Sequence, residues 1–352
     1  MFLESHHISR RSFLLSTLLT PAAMAIANTM RFDPKKLEPI GRNLQWKDGY
    51  VWCNSPIDGP DGKVHVFYSR WTADRKMGGW LNGCEIAHAV ANSPEEPFEY
   101  VETVLAPRGG DAWDATTCHN PHIQKVDDKY CLFYMGNSNG QTNTKRIGLA
   151  TATSLAGPWQ RPDEPLLQPG DAGAWDDHCT TNPAFVKRNG KYWLFYKSWN
   201  TKDYETTTGP IRGNRKYGVA ISSTLEGPYI KSAHNPILDF SARGNNEQLE
   251  DAFVWCEGKR FKMLARDMGF YNHEVGLYLE SKDGLKWSHP EMAYASLKEY
   301  VSEPEPPSHL KRYGRFERPQ LLIRNGRPTY LFTAAQGGPY GTSTAFIFKI
   351  NQ

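Results

Sequence analysis

One strand is written five times into this chain: KVHVFYSRW (63–71), KYCLFYMGN (129–137), KYWLFYKSW (191–199), KRFKMLARDM (259–268) and RPTYLFTAAQ (327–336). The fifth residues of these copies, Phe67, Phe133, Phe195, Met263 and Leu331, recur at intervals of 62 to 68. A repeat of this length marks units that cannot bury their apolar faces alone and must stack on one another. Each copy is preceded by an apolar strand entered through a polar pair, usually with Pro: Asn54-Ser55-Pro56, His119-Asn120-Pro121, Thr181-Asn182-Pro183, Glu250-Asp251-Ala252 and Glu317-Arg318-Pro319. The first four are followed by a third strand and turn (86–98, 147–159, 217–229, 275–287), and the last by TSTAFIFKI (342–350). Asp127-Asp128, Asn189-Gly190, Glu257-Gly258 and Asn325-Gly326 are hairpin pairs joining first strands to second strands.

Four short strands per unit, five units, and 54 Gly plus Pro (30 Gly, 24 Pro) predict an all-β fold, a five-bladed β-propeller in which neighbouring blades hide one another's edges. The fifth copy is one strand short, and the segment 32–50 is expected to supply the closing strand. No low-complexity linker interrupts the run, so residues 28–352 are expected to form one domain.

Residues 1–27 read as a targeting segment. Arg10-Arg11 precede an apolar run from Leu14 to Ile26 and the small-residue end Ala25-Ile26-Ala27, the pattern of a twin-arginine signal peptide. The run is too short for a membrane span. The expectation is a mature protein that works in the periplasm or outside the cell. A net charge of +3 argues against nucleic acid as partner. The six cysteines show no C-x-x-C pair and no zinc-like spacing, so they read as structural thiols, with no metal or cofactor called for.

In a propeller the innermost strands converge on the axis, so polar residues at their entries face a shared funnel. Aligned by copy, those entries are Asn54/Ser55, His119/Asn120, Thr181/Asn182, Glu250/Asp251 and Glu317/Arg318. Glu250, Asp251 and Glu317 stand where other copies are neutral. Carboxyls gathered in a pocket push their proton affinities apart, as an acid/base pair requires. An ion pair of Glu317 with Arg318 or Arg266 is the competing reading. Asn54, Asn120, Asn182 and Arg318 are candidate substrate ligands, with strand-entry turns as their alternative role. Two related loops, Asp111-Ala112-Trp113-Asp114 and 171–178, put an acid beside Trp. Asp114, Asp177 and His178 there are further substrate-binding candidates, as are Glu85, Trp71 and Asp267 at other strand ends.

The Asn-Pro entry, the K-Y-x-L-F-Y strand and the G-P-[WY] turn resemble the five-bladed propeller glycoside hydrolases of families 43 and 117 over residues 46 to 350. CEIAHAVA (84–91), Cys118-His119-Asn120-Pro121, Glu250-Asp251 and 316–320 carry the resemblance most closely. It implies an exo-acting, inverting glycosidase on plant or algal oligosaccharides, with Glu250 matching the general acid and His119 or His178 as an acid on the family 117 pattern. It also allows a structural Ca²⁺ on the axis, although the sequence shows no Ca²⁺ loop. Family 43 places its base, an Asp beside Pro, at the first blade's entry; here Asn54-Ser55-Pro56 carries no acid. That departure leaves open a carbohydrate-binding propeller without hydrolysis, or a lyase using His and Arg.

Overall fold

The computed structural model describes residues 32–206, 208, 213–243 and 247–351; the expected signal segment, residues 1–27, lies outside them. Each copy of the repeat becomes one antiparallel blade. Blade 1 is Gly49–Asp58, Val64–Thr72, Glu85–Ala91 and Glu99–Leu105. Blade 2 is Thr117–Val126, Lys129–Asn137 and Arg146–Ala152, with single Thr151–Gln160 and Ile147–Leu167 pairings in fourth place. Blade 3 is Thr181–Arg188, Lys191–Ser198, Lys216–Ser222 and Ile230–Lys231. Blade 4 is Gln248–Glu257, Arg260–Met268, Gly276–Ser281 and Glu291–Tyr294.

Blade 5 consists of Glu317–Arg324, Arg327–Gly337 and Thr342–Ile350 and borrows its fourth strand from the other end of the chain. Leu37–Leu44 pairs antiparallel with Thr342–Ile350, starting at Leu37 opposite Ile350. The first strand of each blade touches that of the next, and the fifth touches the first, which closes a ring around the axis. Apolar side chains fill the gaps between blades: Phe67 with Leu132 and Tyr134, Phe133 with Phe185 and Leu194, Phe195 with Met263 and Leu277, Val66 with Phe332 and Ile347. Among the described residues no helix is long and apolar enough to cross a membrane.

Asn189-Gly190 and Asn325-Gly326 are two-residue turns with φ of 51° and 69°, and 52° and 73°. Both residues are left-handed, the geometry that matches strand twist. In blade 4 the turn is shifted by one: Glu257 pairs with Arg260, so Gly258-Lys259 forms it.

A second regularity positions the site. Every first strand is bulged at the same place, with register skipping from Trp52 to Ser55, His119 to His122, Thr181 to Ala184, Glu250 to Phe253 and Glu317 to Gln320. One residue in each bulge is left-handed: Cys53 (φ 52°), Asn120 (55°), Asn182 (54°), Asp251 (61°) and Arg318 (57°). A bulge of this kind re-aims a side chain that the pleat would otherwise direct elsewhere. Asn and Asp adopt the conformation readily; Cys and Arg do so less readily. The bulge corrects the alignment of blade 1. Trp52-Cys53-Asn54 takes the place that the sequence assigned to Asn54-Ser55-Pro56, and Asn54 sits where other blades have Pro121, Pro183, Ala252 and Pro319.

Candidate active site

The five left-handed residues hydrogen-bond around the axis. The Cys53 thiol donates to Asn120 Oδ1 (2.9 Å), Asn120 Nδ2 to Asn182 Oδ1 (2.8 Å), and Asn182 Nδ2 to Asp251 Oδ1 (2.8 Å). Arg318 meets the same Asp251 oxygen at 2.8 Å. Burial pushes the Cys53 thiol up to about 12, which keeps it a donor. The result is a polar plate across the axis, with a cavity of about 340 Å³ against one of its faces.

Glu250, Asp251 and Glu317 all line that cavity, together with His119, Asn182 and Arg318. Glu250 accepts from Lys197 through Oε1, and its Oε2 lies 3.2 Å from Arg215 Nε and 3.6 Å from an Arg266 nitrogen. Glu317 Oε2 lies 3.1 Å from that Arg266 nitrogen and 3.3 Å from Arg312. Sharing one nitrogen keeps the two carboxyl oxygens at most about 7 Å apart, close enough to flank a glycosidic bond. Among the described residues, Asp251 Oδ2 and Glu317 Oε1 accept no hydrogen bond.

Surroundings drive neighbouring carboxyls in opposite directions. Burial works to raise Glu250, but Arg215, Lys197, Arg266 and Arg318 overcome it and hold this carboxyl well below the usual range. Burial raises Asp251, and the charge of Glu250 adds to the rise against the pull of Arg318. His119 is buried, with Nδ1 3.3 Å from Cys84 Sγ and Nε2 3.8 Å from Cys53 Sγ. Burial and the cations Arg318, Lys145 and Lys197 hold it well below the usual histidine range, so it is neutral at pH 7 and has no imidazolium proton to donate.

The remaining sequence candidates lie apart from these carboxyls. Asn120 is part of the plate, whereas Asn54 turns away and donates to the Thr333 carbonyl. Asp114 accepts from Arg108 (2.6 Å) and Tyr134 (2.9 Å), and Arg161 lies 3.3 Å away. Its counterpart Asp176 accepts from Tyr196 (2.8 Å) and Lys231 (2.6 Å), so these loops clip onto second strands. Asp177 accepts from the Gly173 amide of its own loop and from the Thr201 amide at the start of the short helix Thr201–Thr206. His178, held by Thr142 and Thr201, stacks behind Trp199, which lines the cavity. Glu85 accepts from Arg70 and Thr103. Trp71 is buried, donates to the Lys76 carbonyl and packs edge-on behind His119. Asp267 accepts five backbone N–H groups, from residues 269 to 273.

Cations and aromatic rings complete the cavity wall: Lys145, Lys197, Arg215, Arg312, Arg315, Trp52, Trp80, Trp199 and Tyr204. Two of the cations stand out in the second strand of the repeat. Lys197 pairs with Thr181 and Arg266 with Glu250, at the second-strand place held by Ser69, Met135 and Ala334 in the other blades. The axial Ca²⁺ allowed by the family resemblance does not fit the plate, whose one carboxylate, Asp251, is already matched by Arg318. Among the described residues no group of three or more His, Cys, Asp or Glu could hold a metal ion.

Comparison of the backbone with solved structures places the fold. Zg3597, a family 117 glycoside hydrolase from the marine bacterium Zobellia galactanivorans, superposes with a TM-score of 0.65 at 19% identity, over 90% of this chain and 91% of that one. The chain shares its fold with glycoside hydrolases. CoXyl43, a family 43 β-xylosidase/α-arabinofuranosidase from a compost metagenome, gives 0.56 at 15% identity over 88% and 94%. The family 32 β-fructofuranosidase BmSUC1 of Bombyx mori gives 0.59 at 14% over 90% and 62%. These matches are five-bladed β-propellers. No protein-family profile matches the sequence. The uncharacterized proteins MT1551 and Rv1502 of Mycobacterium tuberculosis are each 23% identical over 191 residues, which is 52% of this chain and 61% of their own length.

Proposed function

We propose that the protein is an exported glycoside hydrolase that removes terminal residues from plant or algal oligosaccharides with inversion. One observation carries this reading: Glu250 and Asp251 line one pocket, and their surroundings move their proton affinities apart. Opposite shifts of this kind assign acid and base. Asp251, the more readily protonated, gives its proton to the glycosidic oxygen as the bond to the anomeric carbon breaks. Glu250 takes a proton from the water that attacks that carbon. The hydrogen-bonded plate blocks passage along the axis, which favours a chain end over a chain middle. Trp80, partly exposed on the cavity wall, offers an apolar face for a sugar ring. Export rests on the Arg10-Arg11 signal pattern.

The test is a screen of aryl glycosides and oligosaccharides, with the first-formed anomer read by proton NMR. Asp251→Asn is expected to slow natural substrates far more than aryl glycosides with good leaving groups, because those need no proton. Equal loss on both would remove Asp251 from the acid role. A second reading, a propeller that binds sugar without cleaving it, is favoured by Trp52-Cys53, which brings no acid from blade 1. Sugar binding with no turnover across the screen would select it.

A further inference from the structure

Seven cations line the pocket: Lys145, Lys197, Arg215, Arg266, Arg312, Arg315 and Arg318. Three carboxyl groups face them, and the proton that the proposed mechanism places on Asp251 leaves two of them charged. Lys197, Arg215 and Arg266 gather on Glu250, Arg266 and Arg312 on Glu317, and Arg318 on Asp251. Among the described residues, Lys145 and Arg315 form no salt bridge, and the stretches 207–212 and 244–246 contain no Asp or Glu.

Lys145 is the more telling of the two because it is only 3% exposed. Its Nζ lies 4.5 Å from the ring centre of Trp199 and 5.6 Å from that of Trp80. Contact with an aromatic face recovers about 0.5–2 kcal/mol. Removing an ammonium from water costs several kcal/mol. The rings therefore do not offset the burial, and a cation this poorly compensated on a pocket wall is suited to an anion that arrives with the ligand.

We propose that the sugar bound here carries a negative charge, a uronate carboxylate or a sulfate ester, which Lys145 receives between Trp80 and Trp199. The inference deepens the glycosidase reading and takes the sugar from it, but the charge preference stands on the cation excess alone. Burial brings Lys145 down to about 8, so it is still charged at pH 7. A neutral sugar would leave the ammonium with hydroxyl partners only.

Calorimetric titration at pH 7 and low salt, with the purified protein, tests this. The probes are D-galacturonate and D-galactose 6-sulfate, each against D-galactose. At least one charged probe is expected to bind about tenfold or more tighter than galactose, and Lys145→Met to cut that advantage to about threefold or less. Which charged probe binds tighter separates carboxylate from sulfate ester. Equal affinity for charged and neutral sugars in the unsubstituted protein overturns the inference, whatever the variant does. So does no binding of either charged probe at about 50 mM, a free energy near −2 kcal/mol. An undiminished preference in Lys145→Met overturns the role of Lys145. A charge preference without turnover would end the hydrolase reading and keep this one; turnover of neutral glycosides without the preference would do the reverse.

Discussion

Replacing Glu250 by Gln separates what this carboxylate does for the fold from what it does for the chemistry. The side chain is buried, with Lys197 on one oxygen and Arg215 and Arg266 near the other. An amide of the same shape removes the charge but leaves the cations. Breaking a buried ion pair from one side costs about 3–5 kcal/mol, because the partner stays desolvated and unpaired. Glu250→Gln should therefore lose about that much stability in urea unfolding. Loss of a general base lowers turnover by about 10²–10⁴. The two losses could share a cause if the pocket collapsed, and Lys197→Met distinguishes the cases. In Glu250→Gln/Lys197→Met the stranded ammonium is gone, so about half or more of the lost stability should return. Turnover should not return, because no carboxylate takes the proton from water. Stability and turnover rising together in the double variant would show that Glu250 only organises cations, and the base would have to be sought at Glu317.

Two further outcomes follow from the same physics. In Asp267→Asn an amide nitrogen must face backbone donors that now meet carboxylate oxygen, and at least two of five hydrogen bonds are lost; about 2–4 kcal/mol should disappear in urea unfolding, and a loss below about 1 would show that the loop 269–273 does not need this acceptor. His88 and His122 are lowered to about 4, chiefly by burial, so the folded state favours their neutral forms. With an unfolded value near 6.5, that preference costs nothing above pH 6.5; stability is then lost as pH falls toward 4, on the order of 3 kcal/mol for each histidine. Equal urea midpoints at pH 7.5 and pH 4.5 would refute this.

The propeller was legible because the property that builds it is local and repeated. Phe67, Phe133, Phe195, Met263 and Leu331 sit in the same strand of successive blades, and all five are buried. Glu250, Asp251, Glu317 and Arg318 were legible for a related reason: they stand where the copies disagree, and a bulge places each copy's version at the axis. Blade 1 was misaligned by the same logic, since Pro56 imitates the Pro of other blades while the bulge that sets the frame is centred on Cys53, a residue with no sequence preference for a left-handed backbone. The loop acids were overread. Asp114 looks like a sugar ligand beside Trp113, but it and its counterpart Asp176 beside Trp175 each accept from a second-strand tyrosine, Tyr134 or Tyr196, and each Trp lies over a third-strand glycine. A Cβ on Gly148 would come within 2.4 Å of Trp113, and one on Gly218 within 2.8 Å of Trp175. That Asp-Trp-Tyr-Gly set recurs in blades 2 and 3, and recurrence of a whole set is the mark of a structural clip rather than of a ligand site. Arg312 and Arg315 had no such signal, because they enter from the connection ahead of the first strand of blade 5, where the copies differ in length. Lys145 and Arg215 do share one place in the repeat, three residues before Gly148 and Gly218 and just ahead of the third strand; the closed ring brings all four to one cavity, and it is the excess of cations over carboxyl groups there that makes the charge of the substrate the next thing to measure.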